Sequence, residues 1–162
     1  MKIISFVRKG QVSFGAVVPG GIINLGGRLG NNVHSLSAAL TAGCIDDAMV
    51  YVAGRKCELK WSDVTLMPVI PDPSKILCVG LNYQNHKIET GRPDVDYPTI
   101  FTRFADSQVA HGQPMMKPAF SDRFDYEGEM AVIIGRGGRS ITQADALDHV
   151  AGYACYNDGS IR

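Results

Sequence analysis

The sequence predicts a mixed α/β, β-rich fold, with a small α+β domain over residues 1–70, a linker at 71–74 and a β domain over 75–162. Three observations carry this. Short apolar runs recur between Gly and Pro turn signals in the first 25 residues, Pro68, Pro71 and Pro73 form a stiff break, and the chain beyond them alternates strands with loops and has few helical periods. Alternating strands with little helix argue against a doubly wound parallel sheet.

The elements follow in order. Ile3 to Val7, Phe14 to Val18 and Ile22 to Leu25 are separated by Lys9-Gly10 and Pro19-Gly-Gly21, which predicts an antiparallel meander. Val33, Leu36 and Leu40 recur at helical spacing after a cap at Asn32, and Ile45, Ala48, Met49 and Val52 do the same after Gly43. Val64 to Ile70 is expected to be extended. Beyond the prolines, Lys75 to Val79 reads as a compact buried strand, Thr99 to Phe104 as another, Asp125 to Ile134 as a third and Gly152 to Tyr156 as a last one. Thr142, three residues before Asp145, resembles a helix cap ahead of Ala146, Leu147 and Val150. Gly135-Arg-Gly-Gly138 fits neither Gly-x-Gly-x-x-Gly nor the P-loop, so it is read as a turn.

Composition limits the function classes. The chain has 162 residues, 45% hydrophobic and 20% charged, a globular composition with room for one good core or two small ones. Lys+Arg and Asp+Glu balance at 16 each, which argues against a nucleic-acid partner and against a polybasic membrane surface. No apolar run approaches the roughly 20 residues of a membrane span, and the start Met1-Lys-Ile-Ile-Ser-Phe-Val-Arg8 lacks the length of a signal peptide, so a cytoplasmic protein with a small-molecule partner is expected. Cys44, Cys57, Cys78 and Cys155 form no Cys-x-x-Cys pair. Cys78 and Cys155 sit in apolar runs as buried thiols do, and neither a disulfide framework nor a zinc site is expected.

The chemistry concentrates in Asp125-Tyr-Glu-Gly-Glu-Met-Ala-Val-Ile-Ile134. On a strand, Glu127 and Glu129 face the same way, with Met130, Val132 and Ile134 filling the opposite face. Two like charges side by side call either for an open, solvated face or for a hard divalent cation such as Mg²⁺ or Ca²⁺ between them. Asp158 follows the next predicted strand, where Asn157-Asp-Gly159 is equally a local turn former. His86 and Glu89 are three apart, hence adjacent on one turn of helix, and a carboxylate beside an imidazole suits a general base acting on water; a surface ion pair has the same spacing.

Five segments in order resemble the fumarylacetoacetate hydrolase family. They are Gly80-Leu-Asn-Tyr-Gln-Asn-His86-Lys-Ile-Glu89, Pro98-Thr-Ile-Phe101, Asp125-Tyr-Glu-Gly-Glu129, Val132-Ile-Ile-Gly135 and Gly152-Tyr-Ala-Cys-Tyr-Asn-Asp158-Gly-Ser-Ile-Arg162. The resemblance implies a flattened β-roll, incomplete here, behind the small amino-terminal domain of many bacterial members. It implies Mg²⁺ or Mn²⁺, with Ca²⁺ as a further candidate, held by Glu127, Glu129 and Asp158. It implies catalysis by His86 and Glu89 on a mobile segment, with Asn82, Tyr83 and Arg103 as substrate-binding residues, in a homodimer.

The activity so implied is hydrolytic cleavage of a carbon–carbon bond in a 2-oxo or 1,3-dicarbonyl acid, of acylpyruvate or fumarylacetoacetate type. Decarboxylation or isomerisation in aromatic catabolism is the alternative within the family. An inactive metal-binding or oligomerising fragment is the alternative from another class. Arg103 stands where many members have lysine; it can hold a carboxylate bidentately but cannot transfer a proton as lysine does. The resemblance also leads us to expect that Arg162 interrupts a motif that continues in relatives, and that residues 1–162 alone are inactive and poorly soluble.

Overall fold

The structure, a computed structural model, describes residues 1–84, 88, 91 and 96–162. It is β-rich with few helices and divides into two compact units, one made of Met1–Ile70 with Val109–Arg162 and the other of Pro71–Gln108.

In the first unit, strands β1 (Ile3–Arg8), β2 (Gln11–Val18), β3 (Gly21–Asn24) and β4 (Thr65–Leu66) form an antiparallel sheet in the order β3-β2-β1-β4. The expected meander is present. Arg8 pairs with Gln11, and both residues between them have positive φ, Lys9 at 49° and Gly10 at 77°, the twist that suits a two-residue hairpin. Alternation turns Phe14 and Ala16 to one face, where they are fully buried with Leu25, and Phe6 to the other, where it is fully buried with Ile22. Gly15 is required by close approach: a Cβ there would lie 2.5 Å from the Ile23 carbonyl oxygen and 2.7 Å from Ile22 Cγ2.

Helices α1 (Leu36–Thr41) and α2 (Ile45–Val52) cover the Phe14 face with Leu36, Ala39 and Ala48. The cap of α1 is Ser35, whose Oγ accepts from the Ala38 N–H at 3.1 Å. The expected cap, Asn32, instead belongs to a turn, because Val33 N–H bonds the Gly30 carbonyl and the Val33 carbonyl accepts from Gly27. Of Val64 to Ile70, only Thr65–Leu66 is strand; Met67 N–H and the Val69 carbonyl instead bond Ser5, through its carbonyl and its Oγ.

The remainder of this unit holds two antiparallel ribbons. Strands β8 (Gly128–Ile134) and β9 (Val150–Asn157) pair from Gly128↔Asn157 to Ile133↔Gly152, with an irregularity before Ile134↔Val150. Strands β7 (Phe124–Asp125) and β10 (Ser160–Ile161) pair at Asp125↔Ser160 and Phe124↔Ile161. The expected helix at Ala146 is a single 3₁₀ turn, Ala146–His149. His149 is buried and its Nδ1 donates to the Arg136 carbonyl at 2.8 Å, which ties down the Gly135–Gly138 turn.

One face of the β8–β9 ribbon departs from expectation. Met130, Val132 and Ile134 do lie opposite Glu129, but they are exposed, as are Tyr153 and Cys155 on the paired strand. Cys155 is therefore not a buried thiol: the alternation of β9 puts it on the side of Tyr153.

In the second unit, β5 (Ile76–Gly80) and β6 (Thr99–Arg103) form an antiparallel pair from Ile76↔Arg103 to Gly80↔Thr99. Only Cys78 of β5 is buried; Leu77 and Val79 are exposed, so this strand is less enclosed than its apolar run suggests. Among the described residues, no helix is long and apolar enough to cross a membrane.

Candidate metal centre

Two ribbons end at the same level and bring three carboxylates together. The expected single strand from Asp125 to Ile134 is broken at Tyr126-Glu127, between β7 and β8, and the facing chain is broken at Asp158-Gly159, between β9 and β10. Across these breaks the Asp158 N–H donates to the Glu127 carbonyl at 2.9 Å, and the Glu127 N–H donates to Asn157 Oδ1 at 2.9 Å. The Asp158 N–H is thus spent across the ribbon, while its carbonyl accepts locally from Ser160 Oγ at 3.1 Å.

Glu127, Glu129 and Asp158 each offer a carboxylate oxygen, and these oxygens lie within 4.8 Å of one another. Glu127 and Glu129 are half-buried and Asp158 is 2% exposed. Three anions so close repel, and burial of one removes the water that would otherwise screen it. All three donors are oxygen, which suits Mg²⁺, Mn²⁺ or Ca²⁺ and not a thiophilic ion. The donor set therefore fits a hard divalent cation.

Two residues outside the sequence-predicted site support it. Asn157 fixes the Glu127 backbone as described. The Arg162 guanidinium lies at the acidic row, its Nη2 3.2 Å from Glu127 Oε1 and its Nε 3.3 Å from Asp125 Oδ2. The signal for Asn157 is its place opposite Gly128; for Arg162, whose side chain reaches past its own strand partners, strand periodicity gives none. An open hollow of about 380 Å³ is lined by Met115, Phe124, Asp125, Tyr126 and Asn157. Gly159 packs against two of these residues, since a Cβ there would collide with Met115 Cε and lie 3.0 Å from Phe124 Cζ.

The other expected site residues belong to the second unit. Asn82 and Tyr83 are exposed just after β5. They follow Leu81, which has a positive φ of 57° that a branched side chain rarely adopts. Arg103 ends β6 with its guanidinium 5.6 Å from the Phe101 ring centroid, within cation–π range. His86 and Glu89 lie outside the described residues.

Residues 75–162 match the family described as Fumarylacetoacetate (FAA) hydrolase C-terminal. The chain is 36% identical over 148 residues to the mitochondrial oxaloacetate tautomerase FAHD2B of Homo sapiens, covering 88% of this chain and 46% of that one. It is 42% identical over 105 residues to the oxaloacetate tautomerase YisK of Bacillus subtilis, covering 62% and 35%. The structure of a fumarylacetoacetate hydrolase from the psychrophile Exiguobacterium antarcticum superposes with a TM-score of 0.77 at 31% identity, covering all of this chain and 57% of that one. The chain thus spans about half the length of these relatives, or less.

Proposed function

Because this chain belongs to the fumarylacetoacetate hydrolase family, a family of enzymes, we propose that Glu127, Glu129 and Asp158 hold Mg²⁺ or Mn²⁺ and that the protein acts on 2-oxo acids by proton transfer, interconverting keto and enol forms of an oxaloacetate-like dicarboxylate. The observation that carries this is the carboxylate trio within 4.8 Å. The substrate class is supported by the likeness to two proteins named oxaloacetate tautomerases.

When bound, such a cation supplies a Lewis acid for the 2-oxo group. The chain's own residues do the rest. His86 takes a proton from the carbon beside the carbonyl and returns it to the carbonyl oxygen, so the carbon–hydrogen bond breaks, its electron pair forms the carbon–carbon double bond, and the enol results. Glu89 holds the imidazole in the tautomer that accepts this proton. Arg103 binds the distal carboxylate with two parallel N–H donors, and Asn82 and Tyr83 donate hydrogen bonds to the remaining oxygens.

A second reading, hydrolysis, is favoured by the likeness to a fumarylacetoacetate hydrolase at 31% identity. In it His86 deprotonates water, the hydroxide adds to a carbonyl carbon of a 1,3-dicarbonyl acid, and the bond to the neighbouring carbon breaks with its electron pair left on that carbon as an enolate.

The test is to add the protein with Mn²⁺ to freshly dissolved enol oxaloacetate and to an acylpyruvate, following the ultraviolet band of each. Metal-dependent acceleration of enol loss is the expected result. Acylpyruvate loss without it would replace tautomerisation by hydrolysis. Neither change, in protein that also fails to bind Mn²⁺ by calorimetry, would overturn both readings.

A further inference from the structure

Arg162 spans the acidic row at the point where β10 meets β7. Its backbone N–H donates to the Arg123 carbonyl at 2.9 Å, and the pairs Asp125↔Ser160 and Phe124↔Ile161 precede it. The root of the side chain is therefore held by the ribbon. Its tip pairs with Asp125 through Nε at 3.3 Å and with Glu127 through Nη2 at 3.2 Å. Resting on the reading of the carboxylates as metal ligands, we propose that Arg162 is a positioning residue, a clamp that fixes the Glu127 carboxylate for the cation and draws its own rigidity from Asp125.

Glutamate reaches its carboxylate through several freely rotating bonds, the last of them with a broad preference. A planar guanidinium engaging one carboxylate oxygen removes that freedom before the cation arrives. Asp125 and Glu127 are two residues apart on one chain, so a fork bridging them sets both at once. The Arg162 and Asp125 side chains are 37% and 47% exposed, so their pairing adds little to overall stability and its effect falls on geometry. A positive charge beside a cation site is also repulsive, and the two effects have opposite signs, which makes the clamp testable.

The experiment is Mn²⁺ titration by calorimetry of wild type, R162Q, R162K, D125N and the double variant R162Q/D125N. As a clamp, Arg162 requires both its fork and its charge, so R162Q and R162K each weaken Mn²⁺ binding by about 10- to 100-fold, as loss of an outer-shell partner does. D125N weakens it less, and in the R162Q background it adds nothing, because the clamp is already gone. Tighter binding by R162Q would make the guanidinium a mere competitor and overturn the proposal. So would wild-type affinity in R162K, or additive effects in the double variant. Should wild type bind no Mn²⁺, the metal reading fails and the clamp falls with it, whereas wild-type binding with unchanged affinity in R162Q overturns the clamp alone.

Discussion

The Asp158 N–H donates to the Glu127 carbonyl at 2.9 Å, so the two residues face each other as a backbone pair while their carboxylates meet at one cluster. Main chain and side chain at this point share one geometry. Displacing either backbone displaces a carboxylate.

Glu127→Ala and Asp158→Ala should each weaken Mg²⁺ or Mn²⁺ binding by at least about 100-fold, beyond the 10- to 100-fold typical of residues that only support a ligand. Isothermal titration calorimetry of each variant reads this directly. Unchanged affinity in both would assign the carboxylates to a solvated face.

Glu129→Gln removes one of three mutually repelling charges while keeping the side-chain shape. Two unit charges about 4 Å apart repel by about 1 kcal/mol even in bulk water. In chelator the variant should therefore melt above wild type. With Mn²⁺ the order should reverse, since an ion that binds only the folded state raises its stability and the variant has lost that gain. Differential scanning calorimetry in the two buffers checks both signs.

His86→Ala should lower kcat by about 10²- to 10⁴-fold on whichever substrate the ultraviolet assay identifies, and leave Mn²⁺ affinity near wild type, because it removes the base and leaves the cation. Glu89→Gln should act in the same direction more mildly. Wild-type turnover in His86→Ala would end the assignment of this base.

Gly15→Ala should destabilise the first unit by about 1–3 kcal/mol, the range for overpacking, because the added methyl meets the Ile23 carbonyl oxygen at 2.5 Å, where backbone rather than a pliant side chain must yield. Urea denaturation gives the value. A change under about 0.5 kcal/mol would mean that β2 and β3 separate easily at this point.

Much of this was legible in the sequence, for physical reasons. Period-2 alternation and the Lys9-Gly10 turn act locally, so the meander, with Phe14 buried on one face and Phe6 on the other, follows from residues close in the chain. The same alternation puts Glu127 and Glu129 on one side, and the structure gathers with them Asp158, which the family resemblance rather than the alternation points to. What local rules miss is set by partners distant in the chain. The break at Tyr126-Glu127 exists because β7 pairs with β10 while β8 pairs with β9. The cap at Ser35 depends on the hydrogen bonds that tie Gly27 and Gly30 to Val33, and the exposure of Cys155 and Met130 depends on which side of the ribbon is covered. Arg162 was invisible as a partner because it pairs with acidic residues 37 and 35 positions earlier.

The irregularity between Ile133 and Ile134 skips Ala151. It lies at the end of the ribbon remote from Gly128↔Asn157, where the acidic residues gather. Any mismatch in length between the two strands is taken up there, which leaves the acidic end in strict step. A residue inserted beyond Ile133 merely enlarges a defect that already exists. One inserted between Glu129 and Ile133 rotates every side chain between itself and the defect, and must carry either Ala131 and Ile133 into the water or Glu129 into the company of Met130. Length variation in this ribbon is therefore tolerated at one end only.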